Sequence, residues 1–238
     1  MIYKKIIFVW ILFNNCLAHT QTITEVLQKI SNQYSTAQPL QYRCNYVLYK
    51  DFETKKVEES YKGFFCKNAK NEVYMKIGNT ETINAKTVFL KINHDERIIE
   101  ISDPIAGTLG DFDMKKLLNL CTVEKFVAYK SYWEIILEAK PYSGLSYSKI
   151  TVQISKDYFL QKQTFYYNTA INFSKDYRSR DSNYPRLEIA YTNYNRNPVS
   201  ATIFNSTTYF STSGKQQVIL PEPLKKYKII DQRKNSNK

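Results

Sequence analysis

Cys44 and Cys66 close the stretch CNYVLYKDFETKKVEESYKGFFC, whose charged middle is centred on Lys55, equally far from both ends. A hairpin turning at Lys55 sets Leu48 against Lys62, Tyr46 against Phe64 and Cys44 against Cys66. Opposed residues of a non-hydrogen-bonded antiparallel pair approach closely enough for a disulfide. The spacing therefore predicts a cross-strand staple, with two buried, unbonded thiols as the alternative. Other reactive constellations are sparse. His94 stands in an Asn-His-Asp turn and reads as a solvated loop histidine, and His19 lies near the N-terminus. No set of nucleophile, base and orienting group assembles around either one. There is no Cys/His spacing suited to zinc, and no glycine motif for a nucleotide phosphate. The carboxylate pairs Glu58-Glu59 and Asp111-Phe112-Asp113 fall in a hairpin turn and at a helix start, where ordinary structural roles explain them. Cys121 continues an apolar helical stripe and reads as a buried thiol. The residues point to no covalent chemistry, no cofactor and no metal.

Stepping along the chain, the N-terminus is an address rather than a fold element. Lys4 and Lys5 precede the apolar run Ile6 to Phe13, and small or polar residues lead to Ala18. That is the order of a secretory signal peptide, cleaved after Ala18 or after Thr20, so residues 1–20 are set apart. The run is shorter than the about 20 apolar residues a spanning helix needs. Cys16 offers a lipid-anchor alternative, against which Asn14-Asn15 argue. Export to a periplasm follows, and it supplies an oxidising compartment. The formal charge is +12, or about +10 without the leader. In an exported protein that field suits an anionic membrane surface or envelope polymer rather than nucleic acid.

The elements that must position any site are mostly strands. The chain has 20 Tyr and 13 Phe against 6 Gly, a composition that favours pleated surfaces. Thr22 to Tyr34 reads as a helix with a Thr22/Glu25 capping box and a stripe of Ile23, Val26, Leu27 and Ile30. Five strands follow at 41–51, 59–67, 72–77, 87–93 and 97–102. A Pro/Gly loop at 103–110 leads to a short helix capped by Asp111 or Asp113 and carrying Met114, Leu117, Leu118 and Cys121. Strands resume at 124–129, 132–138, 149–155, 158–167 and 185–194, with weaker ones at 201–210 and 215–220. Residues 21–231 form one domain, and 232–238 a disordered basic tail.

This order, together with SKITVQISKDYFLQKQTFYYN from Ser148 to Asn168, resembles the outer-membrane lipoprotein carrier family (LolA-like), in particular its Bacteroidetes-type relatives. The resemblance implies a mainly β fold with some α: a strongly curved antiparallel sheet forming an incomplete barrel, covered by short helices as a lid. It implies a periplasmic protein whose apolar concave face holds acyl chains, and a lid contact made by an early-strand arginine, for which Arg43 is the candidate.

On such a sheet, alternation nominates a lining. Leu48, Phe64, Val73 and Met75 come from the first strands, Val88, Leu90 and Ile92 from the middle of the meander. Trp133, Ile135, Leu137, Val152 and Ile154 come from the later strands. Hydrocarbon burial contributes about 0.8 kcal/mol per methylene, so an acyl-length groove holds lipid without charged contacts. The expectation is a monomeric lipid- or lipoprotein-binding protein, a carrier to the outer membrane. For each single lining residue plain core packing is the simpler account, and then the protein is an envelope structural or interaction protein with a filled interior and a protein or polysaccharide partner. A hydrolase is the third reading, and it lacks a site.

Overall fold

The computed structural model describes residues 21–105, 114–176, 178–213 and 217–234, and of residues 114–116 only the backbone. The leader with Cys16, the expected caps Asp111 and Asp113, and residues 235–238 lie outside the described residues. The first helix, α1 (Ile23–Ser35), begins where the sequence places it. The Glu25 amide donates to Thr22 Oγ1 at 3.3 Å, and the Thr22 amide donates to the Glu25 carboxylate at 3.1 Å. Its buried stripe is Val26, Leu27, Ile30 and Tyr34, a spacing that keeps one face inward.

A meander follows: β1 (Leu40–Tyr49), β2 (Val57–Lys67), β3 (Val73–Ile77), β4 (Thr80–Asn84), β5 (Phe89–Asn93) and β6 (Ile98–Ser102). The short α2 (Met114–Leu120) leads into a second meander of β7 (Cys121–Ala128), β8 (Tyr132–Ala139), β9 (Tyr147–Ser155) and β10 (Leu160–Tyr167). After a two-stranded ribbon, β11 (Ile171–Asn172) with β12 (Ser182–Asn183), strand β13 (Arg186–Asn195) inserts between β10 and β1 and joins the two meanders. A C-terminal segment carries a second ribbon, β14 (Ser211–Thr212) with β15 (Val218–Ile219), and ends in β16 (Lys228–Asp231), parallel to β6. The result is one twelve-stranded sheet, ordered β16-β6-β5-β4-β3-β2-β1-β13-β10-β9-β8-β7, strongly curved and not closed into a barrel.

The two halves of this sheet bury opposite faces. On the first face, α1 lies over Tyr42, Phe65 and Val73 and over Trp133, Ile135, Leu137, Ile150, Val152 and Ile154. On the second, Phe204, Phe210 and Leu224 of the C-terminal segment cover Tyr74, Ile83, Leu90, Ile92, Ile99 and Ile101. The switch happens within β2 and β3. Phe65 and Val73 belong to the α1 core, while their neighbours Cys66 and Tyr74 belong to the other, because successive strand residues point to opposite faces.

That alternation corrects the expected staple. In the β1–β2 ladder Cys44 faces Gly63, Cys66 faces Gln41, and Tyr46 faces Tyr61. The real register is shifted by an odd number of residues from one turning at Lys55, so the cysteines project to opposite faces. Cys44, Cys66 and Cys121 are free thiols and buried. The expected strand at 201–210 is also revised. Ala201–Phe204 and Ser206–Thr208 are single 3-10 turns, which leave Phe204 and Phe210 free to point at the sheet. Cys121 opens β7 rather than ending α2. Arg233, placed in the basic tail, pairs with Asp231 at 2.6 Å.

Candidate functional site

Two regions of the sheet bear on a candidate site. The first is the apolar face beneath α1. Val73, Trp133, Ile135, Leu137, Val152 and Ile154, all nominated as lining, meet there, with Met75 half-buried beside them. Leu48 pairs with Leu187, which packs at the edge of the same core. Phe64, Val88, Leu90 and Ile92 do not join them, since they pack on the opposite face under the C-terminal segment. Val26 and Ile30 of α1 are wholly inaccessible, as are Ile135, Leu137, Val152 and Ile154 beneath them. The chain's own first helix covers this face, and Leu117 and Leu118 of α2 pack against the same core.

Polar ties hold that helix at its rim. Lys29 Nζ, from the middle of α1, and Gln21 Nε2, just before it, each donate to the Tyr158 hydroxyl at 2.9 Å. These two bonds hold the Tyr158 phenol below its usual range. Tyr158 in turn stacks on Trp133, with Lys156 Nζ 3.9 Å above the Trp133 ring. At the C-terminal end α1 has no basic residue in its last turn. The sheet supplies one: Lys67, 1% exposed, donates to the carbonyls of Tyr34 and Thr36, the second at 2.9 Å. Arg196 also donates to the Gln33 carbonyl at 3.2 Å. These cations sit where the helix dipole is negative and its last carbonyls lack partners.

Aromatic rings wall this end. Tyr42 stacks on Phe65 with centroids 4.6 Å apart, and Phe159 stacks on Tyr194 at 4.5 Å. The Tyr34 hydroxyl lies 2.8 Å from that of Tyr194 and accepts from the Leu160 amide at 3.2 Å. Burial pushes the Tyr34 phenol up to about 12, although those two hydrogen bonds oppose it. Burial likewise raises Tyr42, Tyr191 and Tyr194. These phenols stay protonated and act as rigid amphipathic walls.

The second region is a cleft of about 660 Å³ on the opposite face, lined among others by Arg43, Asn45, Lys62, Phe64, Lys76 and Thr192. Arg43 pairs with Phe64 on one side and Thr192 on the other, alternating with Cys44 of the α1 core. It therefore looks away from α1, and the lid contact that the resemblance implies is not one Arg43 makes to that helix. Neither Lys62 nor Lys67 stands out by type among the chain's many lysines, so their placement was not legible from sequence. Only the register separates the clamp from the cleft.

His94 is better supported than a loop histidine. Its Nδ1 lies 2.8 Å from the Tyr227 hydroxyl and its Nε2 3.1 Å from Glu81, which also pairs with Lys76 at 3.0 Å. Burial pushes the Glu81 carboxyl up, but Lys76, His94 and Tyr74 outweigh it and hold it below the usual carboxylate range. The cluster fastens the C-terminal segment to the β3–β5 hairpins. Among the described residues no group of three His, Cys, Asp or Glu could hold a metal ion, and no helix is long and apolar enough to cross a membrane.

No protein-family profile matches the chain, and no curated protein sequence does. Solved structures do match. A conserved protein from Thermus thermophilus superposes with a TM-score of 0.50 at 10% identity, over 89% of this chain and 99% of its own. A LolA superfamily protein from Nitrosomonas europaea aligns over 78% of this chain and 98% of its own, at 10% identity and a TM-score of 0.35. A DUF1329 family protein from Desulfovibrio piger aligns over 79% and 99%, at 13% identity and 0.35. At such identities the likeness is one of fold alone, an unclosed and strongly curved sheet with few helices.

Proposed function

We propose that this is an exported, envelope-resident lipid-binding protein that takes an acyl chain against the sheet face now covered by α1, and serves as a lipid or lipoprotein carrier. The observation behind this reading is that α1 covers the apolar face of β8 and β9 with four buried side chains, while Leu117 and Leu118 of α2 pack against the same core. Binding is then an exchange of α1 for hydrocarbon. Exposing Val26, Leu27, Ile30 and Tyr34 costs about 1.5–3 kcal/mol each, so about 6–12 kcal/mol together. At about 0.8 kcal/mol per methylene, a chain of about 8–15 methylenes recovers it. Long acyl chains therefore bind and short ones do not. Opening breaks the Lys29–Tyr158 and Lys67 ties, and the protein performs no bond chemistry.

Native mass spectrometry of protein purified from its own envelope, with a series of fatty acids titrated against the delipidated protein, tests this. The expected result is co-purified lipid, and affinity that appears only at long chain lengths. A lipid-free protein that ignores long fatty acids while remaining folded refutes it. That outcome favours the second reading, an envelope interaction protein whose trough is permanently filled. The complete inaccessibility of Val26 and Ile30 supports that second reading.

A further inference from the structure

The cleft on the outer side of β1, β2, β3 and β13 gathers positive charge that the chain does not neutralise. Arg43 and Lys62 project from the same face of adjacent strands, one residue pair apart diagonally, since Arg43 faces Phe64 and Asn45 faces Lys62. Like charges so placed repel each other. Several other basic groups of this sheet hold carboxylates, Lys76 with Glu81 at 3.0 Å, Lys162 with Glu188 at 2.8 Å and Arg186 with Glu188 at 3.0 Å, whereas Lys125, Lys149 and Lys228 form no ion pair among the described residues. Among the described residues Arg43 and Lys62 have no such partner.

Neutral hydrogen-bonding groups surround the two cations. Asn45, Asn79 and Thr192 line the same cleft. Phe64 supplies an apolar wall, and Gly78, at φ +55°, turns the chain at the cleft's edge. A guanidinium fork beside an ammonium matches a phosphate ester, which at neutral pH carries about −1.5 to −2 as a monoester and about −1 as a lipid-type diester. The volume, about 660 Å³, lies within the range that holds an organic ligand rather than one bare ion.

We propose that this cleft is a binding site for a phosphate ester of the head-group type, held by Arg43 and Lys62. It does not depend on the acyl-chain reading, because cleft and α1 occupy opposite faces of the sheet, and either can fail alone.

Titration calorimetry of the whole folded protein with glycerol phosphate, and flotation with phosphatidylglycerol or phosphatidylcholine vesicles, tests the proposal. Arg43→Gln and Lys62→Gln are each expected to weaken binding by about ten- to a hundredfold. The charge-matched controls Lys130→Gln and Lys226→Gln, both exposed and outside the cleft, are expected to change it by less than about twofold, as screened surface charges do. Binding of glycerol phosphate identifies a soluble ester. Binding to phosphatidylglycerol vesicles alone identifies a membrane-held head group. Either result, with that dependence on Arg43 and Lys62, supports the site. No binding to any probe overturns it, and so do controls that weaken binding as much. Should a cleft variant misfold, amide shifts of the unaltered protein decide: they move at Lys62, Gly63, Gly78 and Asn79 if the site is real, and elsewhere if it is not.

Discussion

Gly63 sits opposite Cys44, and the ring of Tyr46 fills the place of its missing side chain. A Cβ there would stand 2.9 Å from Tyr46 Cε2, 3.3 Å from Cys44 Cβ and 3.4 Å from the Lys76 carbonyl. Gly63→Ala is therefore expected to lower stability by about 1–3 kcal/mol, the usual cost of overpacking; an unchanged urea midpoint would show that the ring moves freely. The cysteines give a second residue-scale prediction. Burial pushes the Cys44 thiol up to about 11 and the Cys66 thiol up to about 12, so at neutral pH neither is a thiolate able to react. Intact mass should be the same with and without reductant, and native thiol titration should be slow. A mass rise on reduction, or fast labelling of the folded protein, would contradict the register. The sequence carried both cysteines and both strands, yet not their register. The turn is off-centre, with a bulge between Leu48 and Tyr49, and no residue type announces a bulge.

At the scale of elements, α1 was legible in its bounds and in three of its four buried residues, Tyr34 excepted, because a capping box and a one-sided stripe are local signals. Its fastening was not. Lys67 ends β2 and lies far from α1 in sequence, and only the folded sheet brings it to the helix C-terminus. Lys67→Met keeps the stem but removes the donors from the Tyr34 and Thr36 carbonyls. The expected loss is about 1–3 kcal/mol, with faster hydrogen exchange in α1 than in β8 or β9; uniform exchange across all three would contradict the clamp. Strand β4 went unforeseen because Ile83 is its one large apolar residue. Strand β16 went unforeseen because its pairing with β6 is parallel and distant in sequence. The C-terminal 3-10 turns carry isolated aromatics, Phe204 and Phe210, with no period to read.

At the scale of the molecule, one curved sheet with a switch of buried face organises everything above. The strand alternation was visible in sequence and the curved fold followed from the resemblance. The assignment of alternating residues to two separate cores was not visible, because period two fixes which residues share a face within a strand but not which face a partner will cover. Packing tyrosines and a thiol in the α1 core also sets a response to pH. The Cys44 thiol rises from 9.0 to about 11 and the Tyr34 phenol from 10.0 to about 12. The folded state thus holds protons that the unfolded chain releases. This contribution is complete below about pH 9 and is lost as pH rises through about 11 to 12. The urea midpoint should fall over that window together with a rise in tyrosinate absorbance, and a constant midpoint would contradict a buried phenol cluster. The central claim is that acyl chains enter where α1 now lies. Hydrogen exchange of the α1 amides, residues 23–35, with and without a saturating long-chain fatty acid tests it most directly. The account predicts faster exchange in α1 upon binding while β8 and β9 stay protected. Unchanged α1 exchange with the fatty acid bound would place the ligand elsewhere and contradict it.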